Sequence, residues 1–190
     1  TYACSDFKFK KGLVSATKTS GHTLQIADGL WLDKKFKAAM MKSIAQSELD
    51  RKRFVYSDIG FILLQQVVEA VTGKTLDAYL VSEFYRPMGL EHTLFQPLNR
   101  YKKADIMPTA ANDYLRRQDL CGYVHDEAAA FMGGVSGNAG LFSTAQELGK
   151  IYQMILNEGE LDGKRYLRPE TCRIFTTEKS AVSHRGLGYD

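Results

Sequence analysis

Little cysteine, little proline, no long apolar run and almost no net charge mark this sequence. Its 190 residues hold three cysteines and four prolines. Cys4, Cys121 and Cys172 are widely separated, and no pair has the spacing of metal ligands. An odd count rules out complete internal disulfide pairing, which leaves buried thiols or one bridge. The histidines, His22, His92, His125 and His184, form no HExxH or other zinc pattern, so neither a metal nor an organic cofactor is expected. The longest apolar patch, Ile59 to Leu64, is far too short to cross a bilayer. The formal net charge is +3. Residues 1–53 carry 11 Lys and Arg against 5 Asp and Glu, and residues 54–190 carry 14 against 17. The basic residues are interspersed rather than gathered into a stripe, which argues against a nucleic-acid partner. There is no Gly-x-x-x-x-Gly-Lys, no internal repeat and no low-complexity tract. The chain opens on Thr1-Tyr2-Ala3 without a signal peptide and stops at Gly188-Tyr189-Asp190, so it reads as a mature, processed or excised segment.

What is present is the composition of a globular protein, 44% hydrophobic and 25% charged, in a length sufficient for one core. Residues 1–23 read as extended or loop, and Leu24–Ala27 as a short strand. Asp33 can cap a helix whose inward face is Phe36, Met40, Met41 and Ile44. The clearest helix runs over 57–72. Ile59, Leu63, Val67, Val68 and Val71 form a stripe that Ile62, Leu64 and Ala70 widen, and a stripe that wide predicts deep burial. Gly73 suits its left-handed end. A further helix spans about 75–85, with Leu76, Tyr79, Leu80 and Phe84 inward, and Pro87 and Gly89 end it. Residues 86–122 read as mostly irregular. Residues 133–140, Gly-Gly-Val-Ser-Gly-Asn-Ala-Gly, mark a tight loop. Thr144 and Glu147 have capping-box spacing ahead of a helix to about Leu156. Pro169 opens a last helix with Ile174 and Phe175 expected inward. The reading is mainly helical, with long ordered loops, few strands and no clear point of division into two domains.

The segment richest in chemistry is Phe54-Val55-Tyr56-Ser57-Asp58. A tyrosine, a hydroxyl and a carboxylate sit where loop becomes helix. Free N–H groups there favour negative charge, and a phenol beside a positive group loses its proton more easily. Spacing alone also allows Tyr56 as a packing aromatic and Asp58 as a plain cap or structural acceptor. Ser5-Asp6-Phe7-Lys8 and Ser15-Ala16-Thr17-Lys18 have Ser-x-x-Lys spacing, which on a helix sets hydroxyl and amine on one face. Neither heads a credible buried helix, so both read as incidental. His125 and Asp126 are adjacent, read as loop anchors rather than as a facing pair.

Tyr56-Ser57-Asp58 followed by Ile59–Leu64, then Val68–Lys74 and Tyr85-Arg86-Pro87-Met88-Gly89-Leu90, resembles the second-motif region of the serine β-lactamase-like family. That family includes class C β-lactamases, D,D-peptidases and related esterases. Gly122–Glu127 and Gly133–Leu148 are similar to a branch of secreted hydrolases, some fused to glycoside hydrolase domains. The resemblance covers roughly residues 24–190. It implies the helical subdomain and adjoining loops of a β-lactamase/transpeptidase-like α+β fold, read as one partial domain over 1–190. It also implies a serine hydrolase acting on amide, lactam or ester bonds through an acyl-serine, on a small-molecule or peptidoglycan-like substrate, in the periplasm or secreted. Tyr56 takes the family's tyrosine position and Asp58 replaces its usual asparagine. Ser136, Gly137 and Asn138 fall on the loop beside the substrate cleft. No Lys-Thr-Gly or His-Thr-Gly is present, and the nucleophile is expected upstream of Thr1. The chain is thus expected to need flanking segments of its parent and to be inactive alone. The rival reading is a catalytically silent binding or structural domain fused to a cell-wall glycoside hydrolase.

Overall fold

The computed structural model describes residues 11–48, 56–177 and 185–189. Within them the chain forms two compact units, one from residues 11–48, 56–79 and 94–142, the other from 80–93, 143–177 and 185–189. No helix among the described residues is long and apolar enough to cross a membrane. Ser5 and Lys8 lie outside the described residues.

In the first unit, β1 (Val14–Ser15), β2 (His22–Ala27) and β3 (Leu30–Asp33) form an antiparallel sheet in the order β1-β3-β2. The Asp33 carboxylate accepts the Lys35 N–H at 2.8 Å just ahead of α1 (Phe36–Ala45), but Lys35 rather than Asp33 holds the cap position, and no side chain caps the helix. Phe36, Met40 and Ile44 turn inward as their spacing predicts. α2 (Ile59–Thr72) ends at Gly73, whose φ of 67° is the left-handed end the glycine was expected to supply. The core of this unit gathers Leu32, Phe36, Met40, Ile62 and Phe131, with Phe131 and Leu32 at 0% exposure.

The expectation that α2 is the most buried element is overturned. Only Ile62 and Gln65 on it are buried, while Leu63, Leu64, Val67 and Val71 are 43, 56, 56 and 81% exposed. The reason is that its polar edge is the anchored one. Gln65 donates to Glu69 at 3.0 Å, and the Glu69 carboxylate accepts the Leu76 N–H at 3.1 Å. That edge faces inward, so the broad apolar stripe faces out. The most enclosed helix is instead the short one at Glu127–Phe131, whose last four residues are all buried.

α3 (Leu76–Leu80) passes into a π turn at Val81–Tyr85, where Tyr85 is buried and Phe84, partly buried, packs against the same core as expected. β4 (Leu94–Phe95) pairs with a strand at Leu141–Phe142. The stretch read as irregular contains an unforeseen hairpin, β5 (Pro108–Asp113) with β6 (Gln118–Cys121). Its register is broken twice, which erased the period-2 signal. α4 is Glu127–Phe131, and β7 is the Leu141–Phe142 strand.

The second unit has its own core of Tyr85, Met88, Leu90, Met154 and Leu161. Burial pushes the Tyr85 hydroxyl up to about 12. Thr144 caps α5 (Ala145–Leu156) by accepting the Glu147 N–H at 3.3 Å, as the capping-box spacing implied. The Glu147 carboxylate turns away from that box. It accepts the N–H groups of Glu91 (2.9 Å) and His92 (3.0 Å) and the Thr93 hydroxyl at 2.6 Å. Burial raises the Glu147 carboxyl, but the Thr93 hydroxyl and the two N–H groups outweigh it and hold the group below its ordinary value. A hairpin of β8 (Glu160–Leu161) and β9 (Lys164–Arg165) leads to α6 (Pro169–Thr176). Pro169 opens α6 as expected, but Cys172 is its buried residue, and Ile174 and Phe175 are exposed. Cys121 and Cys172 are free thiols.

Phe131→Ala should cost about 3–5 kcal/mol in denaturant unfolding, as a large side chain lost from a closed core. Val67→Ala on the outward face of α2 should stay within about 0.5 kcal/mol. Glu147 is more acidic folded than unfolded, so its contribution is complete above the unfolded value of about 4.3 and is lost as pH falls through the folded one. Thermal unfolding from pH 6 to pH 2 should therefore show a shallower acid loss in Glu147→Gln than in the parent chain.

Candidate active site

Tyr56, Ser57 and Asp58 sit at the entrance to α2. The Ser57 hydroxyl accepts the Ile59 N–H at 3.3 Å, and the Asp58 carbonyl accepts the N–H groups of Phe61 and Ile62 at 3.0 and 3.2 Å. Asp58 already has helical backbone angles (φ −76°, ψ −18°), and its carboxylate makes no cap bond. Asp58 is therefore not the plain cap that spacing allowed. Tyr56 is 59% exposed, so its ring is not a core aromatic either.

The glycine loop is built from a buried ion pair outward. Asp113 and Arg116 bond side chain to side chain, at 2.9 Å through Nε and 2.7 Å through Nη2, and both are fully buried. Burial raises the Asp113 carboxyl, but the guanidinium outweighs it and holds the group below the usual carboxylate range. The same guanidinium donates to the carbonyls of Val124 (2.8 Å) and His125. This fixes Asp126, whose carboxylate caps α4 by accepting the Ala129 N–H at 2.7 Å. Asp126 Oδ1 also accepts the Asn138 amide at 3.0 Å, and Asn138 Oδ1 accepts the Ser136 hydroxyl at 2.7 Å. Ser136 and Asn138 thus spend these polar atoms on the loop, and Ser136 is 3% exposed. The His125 ring is largely exposed, with Nε2 4.0 Å from the Asp113 carboxylate.

Gln65 joins this loop to α2. Its Oε1 accepts the Gly137 N–H at 3.1 Å, and its Nε2 donates to the Val135 carbonyl at 3.3 Å. A Cβ on Gly137 would lie 2.2 Å from the Phe61 carbonyl oxygen, so only glycine fits against the first turn of α2. A Cβ on Gly140 would meet the Gly134 carbonyl oxygen at 2.7 Å, where the loop closes on itself. Gly137 is therefore brought to the turn that follows Tyr56–Asp58, across some eighty residues of sequence. Gln65 was not among the sequence candidates. The signal was a polar pair, Gln65-Gln66, interrupting an apolar stripe.

The second Ser-x-x-Lys is not helical. Ser15 lies in β1 opposite Trp31, its hydroxyl accepts the Thr17 N–H at 3.3 Å, and the Lys18 ammonium sits 5.5 Å above the Trp31 ring. No hydrogen bond joins Ser15 to Lys18 among the described residues. No group of three or more metal-ligating side chains occurs among those residues.

The sequence profile of the Beta-lactamase family matches residues 16–190. The chain belongs to the beta-lactamase family. As a member, it is 39% identical over 149 residues to an Escherichia coli (strain K12) protein named "Putative D-alanyl-D-alanine carboxypeptidase", covering 72% of this chain and 34% of that one. It is 37% identical over 149 residues to a Bacillus subtilis (strain 168) protein named N-acetylmuramyl-L-alanine amidase, with the same coverage. The chain thus spans about a third of the length of these relatives. Among solved structures, the octameric penicillin-binding protein homologue from Pyrococcus abyssi superposes with a TM-score of 0.56 at 18% identity, over 82% of this chain and 35% of that one. The D-amino acid amidase from Ochrobactrum anthropi SV3 gives 0.53 at 12% identity, over 74% and 38%. These likenesses bear out the α+β fold, with its helices and small open sheets.

Gln65→Leu should destabilise the chain by about 1–3 kcal/mol, because it strands the Gly137 N–H and the Val135 carbonyl. Gly137→Ala should cost at least a similar amount by forcing the loop off α2. Urea unfolding of the two variants and of the double variant checks both. The double variant should cost less than the sum, since either change alone releases the same loop.

Proposed function

We propose that residues 1–190 form part of one catalytic domain of a serine hydrolase, supplying one wall of its substrate cleft. The observation that carries this reading is the Gln65 bridge, which holds the glycine loop against the turn that follows Tyr56 and Asp58. In the whole protein a serine hydroxyl attacks an amide, lactam or ester carbonyl. Tyr56 takes the hydroxyl proton and returns it to the leaving group, and water then releases the acyl group from the serine. Asp58, which as a carboxylate only accepts hydrogen bonds, pairs with the ammonium of the family's lysine where an asparagine would donate. Ser136 and Asn138 shape the loop, and the Gly137 region borders the substrate. The names of the curated relatives favour a peptidoglycan-like substrate, and a periplasmic or secreted setting is proposed with it.

The nucleophile in this reading lies outside the 190 residues, because Ser15 sits in a strand without the lysine beside its hydroxyl. A poorly activated hydroxyl is a weak nucleophile. Mass spectrometry of this chain after treatment with a fluorophosphonate should show no stoichiometric adduct. An adduct on Ser15, lost in Ser15→Ala or Lys18→Ala, would overturn the assignment. In a chain extended to the length of its relatives, Tyr56→Phe should slow acylation by roughly 10²–10⁴-fold. An unchanged acylation rate there would remove Tyr56 from the proton path.

A further inference from the structure

The first unit contains a second candidate site that the hydrolase reading leaves unused. A cavity of about 270 Å³ opens between the β2–β3 hairpin and the start of the glycine loop. Tyr56, Asp58, Ser136 and Asn138 take no part in its lining. Its wall is a built one. Gln96 adopts a left-handed conformation (φ 49°), donates to the Gly133 carbonyl at 2.6 Å and accepts the Asn99 amide at 3.1 Å. A non-glycine residue held in that region stores strain, which the surrounding bonds must sustain.

The chemistry of the lining selects a ligand class. Lys18 is the only ionised side chain in it, and no carboxylate lies within ion-pair distance of its ammonium among the described residues. The ammonium is instead held 5.5 Å over the Trp31 ring. The nearby carboxylate, Asp28, is spent on Lys103 and on the Tyr123 hydroxyl at 3.0 Å. The Thr23 hydroxyl and the Trp31 N–H have no hydrogen-bond partner among the described residues. Gln25 uses only its amide nitrogen, on the Ala27 carbonyl at 3.3 Å. The apolar faces of Trp31, Leu24, Leu98 and Phe142 complete the cavity.

We infer that this cavity binds a small carboxylate with a ring-shaped body. The carboxylate meets Lys18, and the ring packs on the apolar wall beside Trp31. A cation with free donors suits an anion, and the remaining free acceptor on Gln25 suits a hydroxyl or N–H of the ligand. Two sources share this chemistry, an acidic sugar and an alicyclic acid.

Trp31 is the only tryptophan in the chain, so its emission reports on the cavity directly. The 190-residue chain would be titrated with glucuronate and cyclohexanecarboxylate, and with methyl glucoside and cyclohexanecarboxamide as neutral counterparts. At least one acid should change the Trp31 emission saturably, and its neutral counterpart should bind about tenfold more weakly or not at all. The acid that binds more tightly identifies the source. Lys18→Met should weaken that acid about tenfold, with calorimetry as a second readout, while Tyr56→Phe leaves its affinity unchanged. No saturable change with either acid, equal binding of the neutral counterpart, or full affinity in Lys18→Met would each overturn the proposal. None of these outcomes depends on the acyl-serine reading.

Discussion

The side-chain amide of Gln65 is the constraint on which the site geometry rests. It is the group that faces both ways, accepting from Gly137 and donating to Val135 and Glu69. Buried amides left unpaired cost more than they contribute when paired, so this one fixes position as much as it stabilises. Because it sits two turns into α2, it transmits the position of that helix to a loop seventy residues away. Behind the loop, the Asp113–Arg116 pair plays the complementary part. It anchors the Val124–His125 backbone and so the Asp126 cap that receives Asn138. The loop is thus held from two sides by polar groups, and its glycines allow the close approach.

This arrangement explains why α2 turns its polar edge inward. An apolar stripe gives a strong sequence signal for burial, but two partly buried hydrogen bonds and a carboxylate on a backbone N–H are directional and outrank it in setting orientation. The stripe of Leu63, Leu64, Val67 and Val71 is left facing outward, wider than single surface apolar residues account for. Hydrophobic periodicity therefore located this helix and its Gly73 end, and misjudged its face.

Much of the fold was legible because it is written in local chemistry. The Thr144 cap, Pro169 at a helix start, Gly73 at a helix end and the inward face of Phe36, Met40 and Ile44 are all short-range signals, and all are found. The β5–β6 hairpin was not legible, because two register breaks remove its alternation. The segments of the proposed site, Tyr56, Asp58 and the 133–140 loop, came from family resemblance. What joins them was not legible, because Gln65, Asp113 and Arg116 act over distances that no spacing rule reaches. The inward assignment of Ile174 and Phe175 failed for a related reason. On a two-turn helix the face is chosen by tertiary contacts, and Cys172 took it.

The central claim is that Gln65 holds the glycine loop to the helix that follows Tyr56 and Asp58. Amide hydrogen exchange at Gly137, followed by NMR in the parent chain and in Gln65→Leu, tests it most directly. The account predicts a protected Gly137 N–H in the parent and exchange at least about tenfold faster in the variant, with the mid-helix amides of α2 little changed. An unprotected Gly137 in the parent, or protection that survives the loss of Gln65, would contradict it.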